Sequence, residues 1–288
     1  MLFCGIDPFT IPHPTLTSYA WRVNSSTFDF MTVRGLVLLT LVFSFSGIHL
    51  DAQNKAQDRI QTPQSFSKQI THTVGCQYLI SFPKTYDATA ATNWPMILFL
   101  HGTGERGTNV WNVTGIGPSS YAARHPDFPF ILVSPLCPDG QIWSNEVLLA
   151  LLDEVLAKHK IDPKRVYLTG LSLGGFGAWT LGLAHPERFA ALVPICAGSE
   201  RMQIVVAAHG YAGGINIKQL RKLPIWVIHG AKDPIVPVEE SKRMIEALKY
   251  ANCNEVLLTI YPEAGHDAWT ETYNNPILYN WLLKHHKQ

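Results

Sequence analysis

Ser172 stands in Gly170-Leu171-Ser172-Leu173-Gly174, after the apolar run Val166–Thr169 and before a helical pattern over Leu173–His185. A serine at a sharp strand-to-helix turn has a strained backbone, and its hydroxyl projects above the sheet. The helix N-terminus below it favours developing negative charge. Glycines on either side let strand and helix approach. Glycine and serine are common, so the flanking strand and helix, rather than the five letters, separate this motif from a glycine-rich packing turn. A serine hydroxyl is a poor nucleophile until a base takes its proton. His266, in Gly265-His266-Asp267, follows the apolar run Val256–Tyr261 and is the candidate base. His101 and His229 also end apolar runs and precede glycine. His101, however, comes before Ser172 in the chain, and His229 falls where an acid is expected soon after. His159 and His185 lie at helix ends. A catalytic imidazole needs a carboxylate that fixes its tautomer. Asp233, in His229-Gly230-Ala231-Lys232-Asp233-Pro234, lies between serine and histidine in the chain. Asp267 is expected to make a loop hydrogen bond, and Asp153 and Glu154 sit on a helix.

Attack on a carbonyl creates an oxyanion, which needs preorganised donors. The backbone N–H of Leu173, next to the serine, is one candidate. The other is the N–H of Thr103, in the loop His101-Gly102-Thr103-Gly104-Glu105-Arg106-Gly107. Glu105 and Arg106 can bind substrate, or form a local ion pair that holds the loop. Trp143 and Trp269 are candidates for lining a pocket, against ordinary packing; aromatic faces suit sugar rings and aromatic acyl groups. Trp111, Tyr121 and a glycine-containing stretch over 197–222, which can form a loop over the site, are weaker candidates.

These residues need a frame. Strands are predicted over Cys76–Phe82, Pro95–Leu100, Phe130–Ser134, Val166–Thr169, Phe189–Ile195, Ile225–Ile228 and Val256–Tyr261. Several are continuous apolar runs, as expected of strands covered on both faces. Helices are predicted over Ser144–Lys158, with Ser144 as cap, over Leu173–His185 and over Val238–Tyr250. Asn275-Pro276 opens a last one. Asp162-Pro163 reads as a turn. This alternation implies an α/β fold with a mostly parallel sheet, whose ligands bind beyond the carboxyl ends of the strands. Ser172, Asp233 and His266 all follow strands.

The 288 residues are 47% hydrophobic and 16% charged, with a net charge of +1, enough for one large core and no broad field for nucleic acid. No zinc-spaced cluster, repeat or low-complexity tract is present, and His285 and His286 read as a solvated tail. No metal and no organic cofactor is implied. From Met31, Arg34 and the uncharged run Gly35–Ile48 resemble a secretory leader ending near Ala52; a membrane anchor is the alternative. Residues 1–30 read as an upstream extension outside the fold, 31–52 as signal peptide, and 53–288 as a single domain. Export would permit disulfides, but the sparse Cys76, Cys137, Cys196 and Cys253 read as buried free thiols.

Taken together, LHGTGERG, GLSLGG, HGAKDPIVP and EAGHDAWTETY resemble the secreted esterase and predicted-peptidase branch of the α/β-hydrolases. That branch is similar to polyhydroxybutyrate depolymerases and to acetylxylan and feruloyl esterases. The resemblance spans roughly residues 70–285. It implies a central sheet of about eight strands with helices on both faces, a Ser172–His266–Asp233 triad and an oxyanion hole at Thr103 and Leu173. The expected activity is serine carboxylic-ester hydrolysis through an acyl-enzyme, on a small-molecule or polysaccharide-linked ester outside the cytoplasm. No nucleic-acid partner is expected, nor a membrane once the leader is removed. A serine peptidase with the same triad and a non-catalytic binding protein on this fold are the alternatives.

Overall fold

Every residue from Pro95 to Leu100 is buried, which explains why this run shows no polar alternation: it is a central strand with helices on both sides. The computed structural model describes residues 64–211 and 214–287. Contacts divide the chain into Met1–Ile70 and Thr71–Gln288. In the first unit the described residues, 64–70, form neither helix nor strand. The expected extension (1–30) and leader (31–52) lie outside the described residues. No helix among the described residues is long and apolar enough to cross a membrane.

Among its described residues the second unit has seven strands: β1 (Tyr78–Ser81), β2 (Trp94–Leu100), β3 (Ile131–Pro135), β4 (Ile161–Leu171), β5 (Ala191–Ile195), β6 (Ile225–Gly230) and β7 (Val256–Tyr261). Their order is β1-β3-β2-β4-β5-β6-β7. Only the edge strand β1 runs antiparallel; every other neighbouring pair is parallel. Seven strands stand where about eight were expected. The predicted turn at Asp162-Pro163 lies inside β4. The Asp162 carboxylate accepts bonds from Lys164 N–H (2.9 Å) and Arg165 Nε (2.7 Å), as in a turn. The pairing with β2 shifts register there, so the turn residues form a bulge rather than a strand end.

The helices are α1 (Gly117–Arg124), α2 (Asn145–Lys158), α3 (Leu173–Ala184), α4 (Arg201–Ala208), α5 (Ile217–Leu220), α6 (Val238–Tyr250), α7 (Trp269–Asn274) and α8 (Pro276–Leu283). Alternate strand residues feed two cores. Met96, Leu98, Val166 and Leu168 pack with Leu152 of α2, Trp179 of α3 and Leu248 of α6. Ile97, Phe99, Tyr167 and Val193 pack on the other face with Tyr121 of α1, Tyr273 of α7 and Leu282 of α8. Each such side chain contributes about 1.5–3 kcal/mol of burial, so both helix layers hold the strand ends in place. Ser144 is the N-cap of α2 but its hydroxyl makes no capping bond. Asn275 does cap α8, accepting from Ile277 N–H at 3.0 Å.

The stretch 197–222 carries α4 and α5 rather than a bare loop, and Ile204 of α4 joins the same core as Met244 of α6. His285 is not a solvated residue. Its ring nitrogens lie 2.8 Å from Trp281 O and 3.1 Å from both Glu255 carboxylate oxygens, and its carbonyl accepts from the Tyr167 hydroxyl. Cys76, Cys137, Cys196 and Cys253 are all free thiols.

Candidate active site

Ser172 is the first residue after β4 and the N-cap of α3, with φ 49° and ψ −117°, a conformation L-residues rarely adopt. The surrounding glycines permit it. A Cβ on Gly170 would come within 2.2 Å of Gly174 O, and one on Gly174 within 1.9 Å of Leu100 O. Strand and helix therefore approach closer than any side chain allows. The Ser172 N–H donates to Ile195 O at 2.9 Å, which ties the turn to the neighbouring strand.

Asp233 and His266 are brought together by adjacent strands ending at the same level, Gly230 being paired with Tyr261. Their following loops touch. A Cβ on Gly230 would meet Gly265 O at 2.0 Å, and Lys232 N–H donates to Ala264 O at 3.0 Å. His266 Nδ1 donates to Asp233 Oδ2 at 2.7 Å, and its Nε2 lies 2.9 Å from Ser172 Oγ. Asp233 Oδ1 accepts from the N–H groups of Ile235 and Val236, both at 2.9 Å. Burial pushes this carboxyl up, but the bonds from His266 and the two amides outweigh it and hold it below its ordinary value. It stays an anion at neutral pH, able to stabilise an imidazolium. The indole of Trp269 meets the His266 ring edge-on, with centroids 5.1 Å apart, so this tryptophan braces the imidazole.

Leu173 and Thr103 each begin a helix, Thr103 that of a short 3-10 turn, Thr103–Glu105. A first-turn amide has no intrahelical acceptor, so both N–H groups suit an incoming oxyanion. Glu105 does not form an ion pair with Arg106. Its carboxylate accepts from Gly102 N–H at 3.1 Å, and burial pushes it up despite that bond. Arg106 instead donates to Thr103 O and Gln141 O. Each side chain holds the loop separately, because the main chain offers partners nearer than the other side chain.

His101 is a loop anchor. Its Nδ1 donates to Gly102 O at 2.7 Å and its Nε2 accepts from Cys137 N–H at 3.0 Å. Both nitrogens are committed, and burial pulls the ring below the ordinary histidine value. Trp143 packs in the same place. Its Nε1 donates to His101 O at 3.3 Å, and its ring fills the space a Cβ on Gly177 would need. Asp267 bonds Thr270 through both carboxylate oxygens, as the loop reading expected. Trp111 is exposed and lines a cavity of about 510 Å³ between β1, β3 and α1, together with Phe82, Phe128 and Leu132. Tyr121 is buried and stacks on His125.

A strained serine between a parallel strand and a helix, facing a histidine and an aspartate from two later strands, carries the architecture that the motifs implied. A family described as Phospholipase/Carboxylesterase matches residues 143–281, from Trp143 through the serine turn to α8. This chain has the α/β-hydrolase fold. Among solved structures, a thermostable esterase has a TM-score of 0.58 and 29% identity, over 73% of this chain and 59% of that one. Among curated proteins, poly(3-hydroxyalkanoate) depolymerase C of Paucimonas lemoignei is 44% identical over 48 residues, 17% of this chain and 12% of the relative. A probable feruloyl esterase C of Aspergillus niger is 22% identical over 69% of this chain and 70% of its own length. The chain thus spans only a small part of the depolymerase and under two thirds of the solved esterase.

Two neighbours of Asp233 and His266 escaped sequence reasoning. Cys196 Sγ lies within 4.8 Å of an Asp233 oxygen and a His266 nitrogen. His229 Nε2 lies 3.2 Å from Asp233 Oδ2. Only the position of His229 at a strand end, before glycine and near the acid, signalled the second contact. Nothing in the sequence signalled the first.

Proposed function

We propose that this protein cleaves carboxylic esters through an acyl-enzyme. Ser172 Oγ attacks the ester carbonyl while His266 Nε2 takes its proton. The resulting imidazolium is stabilised by Asp233. The tetrahedral oxyanion is held by the N–H groups of Leu173 and Thr103. Collapse breaks the bond to the alkoxy oxygen, which leaves with the proton that His266 returns. Water then repeats the sequence on the acyl-serine and releases the acid.

The observation that carries this reading is the unbroken relay Ser172 Oγ to His266 Nε2 (2.9 Å) and His266 Nδ1 to Asp233 Oδ2 (2.7 Å). This geometry is within proton-transfer reach. The names of the relatives point toward polymer-linked and aromatic esters, so we assign the substrate to extracellular esters such as acetylated or feruloylated polysaccharide. The leader over 31–52 and the single domain over 53–288 belong to the same proposal, with the enzyme acting after export.

Purified enzyme is to be tested on p-nitrophenyl acetate, methyl ferulate, acetylated xylan and a peptide anilide, with fluorophosphonate labelling as a second readout. Ester turnover and labelling are expected, both abolished by Ser172→Ala. Turnover of the anilide alone would transfer the enzyme to the peptidases. Absence of labelling together with absence of turnover would make it a binding protein.

A further inference from the structure

The hydrogen bonds to Asp233 account for the amides of Ile235 and Val236 and for His266, but not for the second imidazole beside it. His229 is the last residue but one of β6, and its side chain has no exposure to solvent, nor has that of Asp233. Its Nε2 lies 2.9 Å from Val236 O and 3.2 Å from Asp233 Oδ2. A carbonyl oxygen can only accept, so Nε2 carries a hydrogen and donates it to Val236 O, while the same ring edge packs against the carboxylate oxygen bonded to His266. The far side of the ring is held as well: Nδ1 lies 2.7 Å from Ser241 Oγ on α6, and that hydroxyl is 3.1 Å from Ala197 O just past β5.

We propose that His229 is a positioning residue for Asp233, a proposal that rests on the triad reading above. The geometry supplies two routes. Through Val236 O it pins the turn whose amides, Val236 N–H and Ile235 N–H, bind Asp233 Oδ1. Through contact, its buried ring edge fills the space beside Oδ2, 3.2 Å away. The carboxylate is thereby held by two amides at Oδ1 and by His266 at Oδ2, with the His229 ring walling off one side of it. The ring itself is tied to α6 by Ser241, whose hydroxyl lies 2.7 Å from Nδ1. An acid held this way meets the imidazolium without reorganising, which is the condition under which it lowers the barrier rather than merely binding the base.

The test compares His229→Leu with His229→Gln, whose amide nitrogen can reach the place of Nε2. Steady-state kinetics on p-nitrophenyl acetate is combined with the downfield proton resonance of the His266–Asp233 hydrogen bond. In His229→Leu kcat is expected to fall roughly 10- to 100-fold, short of the ~10⁴-fold that loss of a triad acid costs. KM should stay near the parental value and the downfield resonance should broaden or vanish. His229→Gln should restore most of kcat and the resonance. A folded His229→Leu with parental kcat overturns the proposal, as does one that loses kcat while keeping the resonance. If His229→Leu does not fold, Ser241→Ala, which frees only the far nitrogen, should move the same readings in the same direction, and unmoved readings overturn the proposal. Activity surviving in Ser172→Ala would instead strike the triad reading. The resonance in the His229 variants would still report on the clamp.

Discussion

Two residues of this molecule share nearly the same positive φ just past the ends of neighbouring parallel strands. Ser172 follows β4 with φ 49°, and Cys196 follows β5 with φ 50°. Leu171 and Ile195, the residues before them, are direct partners in the sheet. Each amide donates to the next strand along, Ser172 N–H to Ile195 O and Cys196 N–H to Ile228 O, both at 2.9 Å. Both side chains are nucleophiles in type, and both lie near His266. Yet Ser172 Oγ is aligned with His266 Nε2, while Cys196 is buried and its thiol is pushed up to about 12 by burial. A thiol held protonated in this way is inert. Strain and residue type do not make a nucleophile; a base in line and access to substrate do. The trio Cys196, Asp233 and His266 offers no ready metal site for a related reason, since Asp233 and His266 are already bonded to each other.

The widest separation between the two turns should appear in activity. Ser172→Ala is expected to lower kcat/KM by roughly 10⁴- to 10⁶-fold, whereas Cys196→Ala should leave it near the parental value; ester hydrolysis by both variants measures this. A large loss in Cys196→Ala without unfolding would erase the contrast. Next come the glycines that build only the serine turn. Gly174→Ala places a Cβ against Leu100 O and should cost at least about 3 kcal/mol. Gly104→Ala, where a Cβ meets nothing within 4 Å, should be nearly silent, as denaturant titration can establish. Smaller still is the strain itself. Ser172→Gly should gain on the order of 1 kcal/mol in stability while losing activity. Cys196→Gly should gain less, because it also removes a buried side chain; thermal melts of the pair decide it. The smallest effect concerns the loop that faces the serine turn. His101 sits below its ordinary value of 6.5, so its contribution to stability is present above 6.5 and is lost as pH falls from there through its folded value. A shallow fall in Tm below 6.5, flattened in His101→Asn, is the expected result.

Much of this was legible along the chain. Pro95–Leu100 and Val256–Tyr261 read as strands because they are short, mostly apolar runs bounded by turn residues, a pattern set locally along the chain. Gly170 and Gly174 marked a close approach because no other residue fits one. The order of Ser172, Asp233 and His266 reflected the order of strand ends. Less legible were features that depend on what lies opposite. Asp162-Pro163 carries turn chemistry, and only pairing with β2 turns it into a bulge. His285 resembles a polar tail until Glu255 and Tyr167 arrive from other strands. Glu105 and Arg106 are neighbours of opposite charge, but nearer main-chain partners separate them.

The chain by itself determined the three side chains, the strands they follow and the glycines that let one strand end turn sharply, because each depends on local sterics and burial period. Only the tertiary structure decided what the other two histidines do, one packing against Asp233 and one anchoring a loop. His101, His229 and His266 all end or follow strands and adjoin glycine. Their roles part only when the sheet order sets His266 Nε2 at Ser172, His229 Nε2 at Asp233 and both nitrogens of His101 on main chain. Hydrogen-bond roles are set by what lies within about 3 Å in space, and distance along the chain carries no record of that.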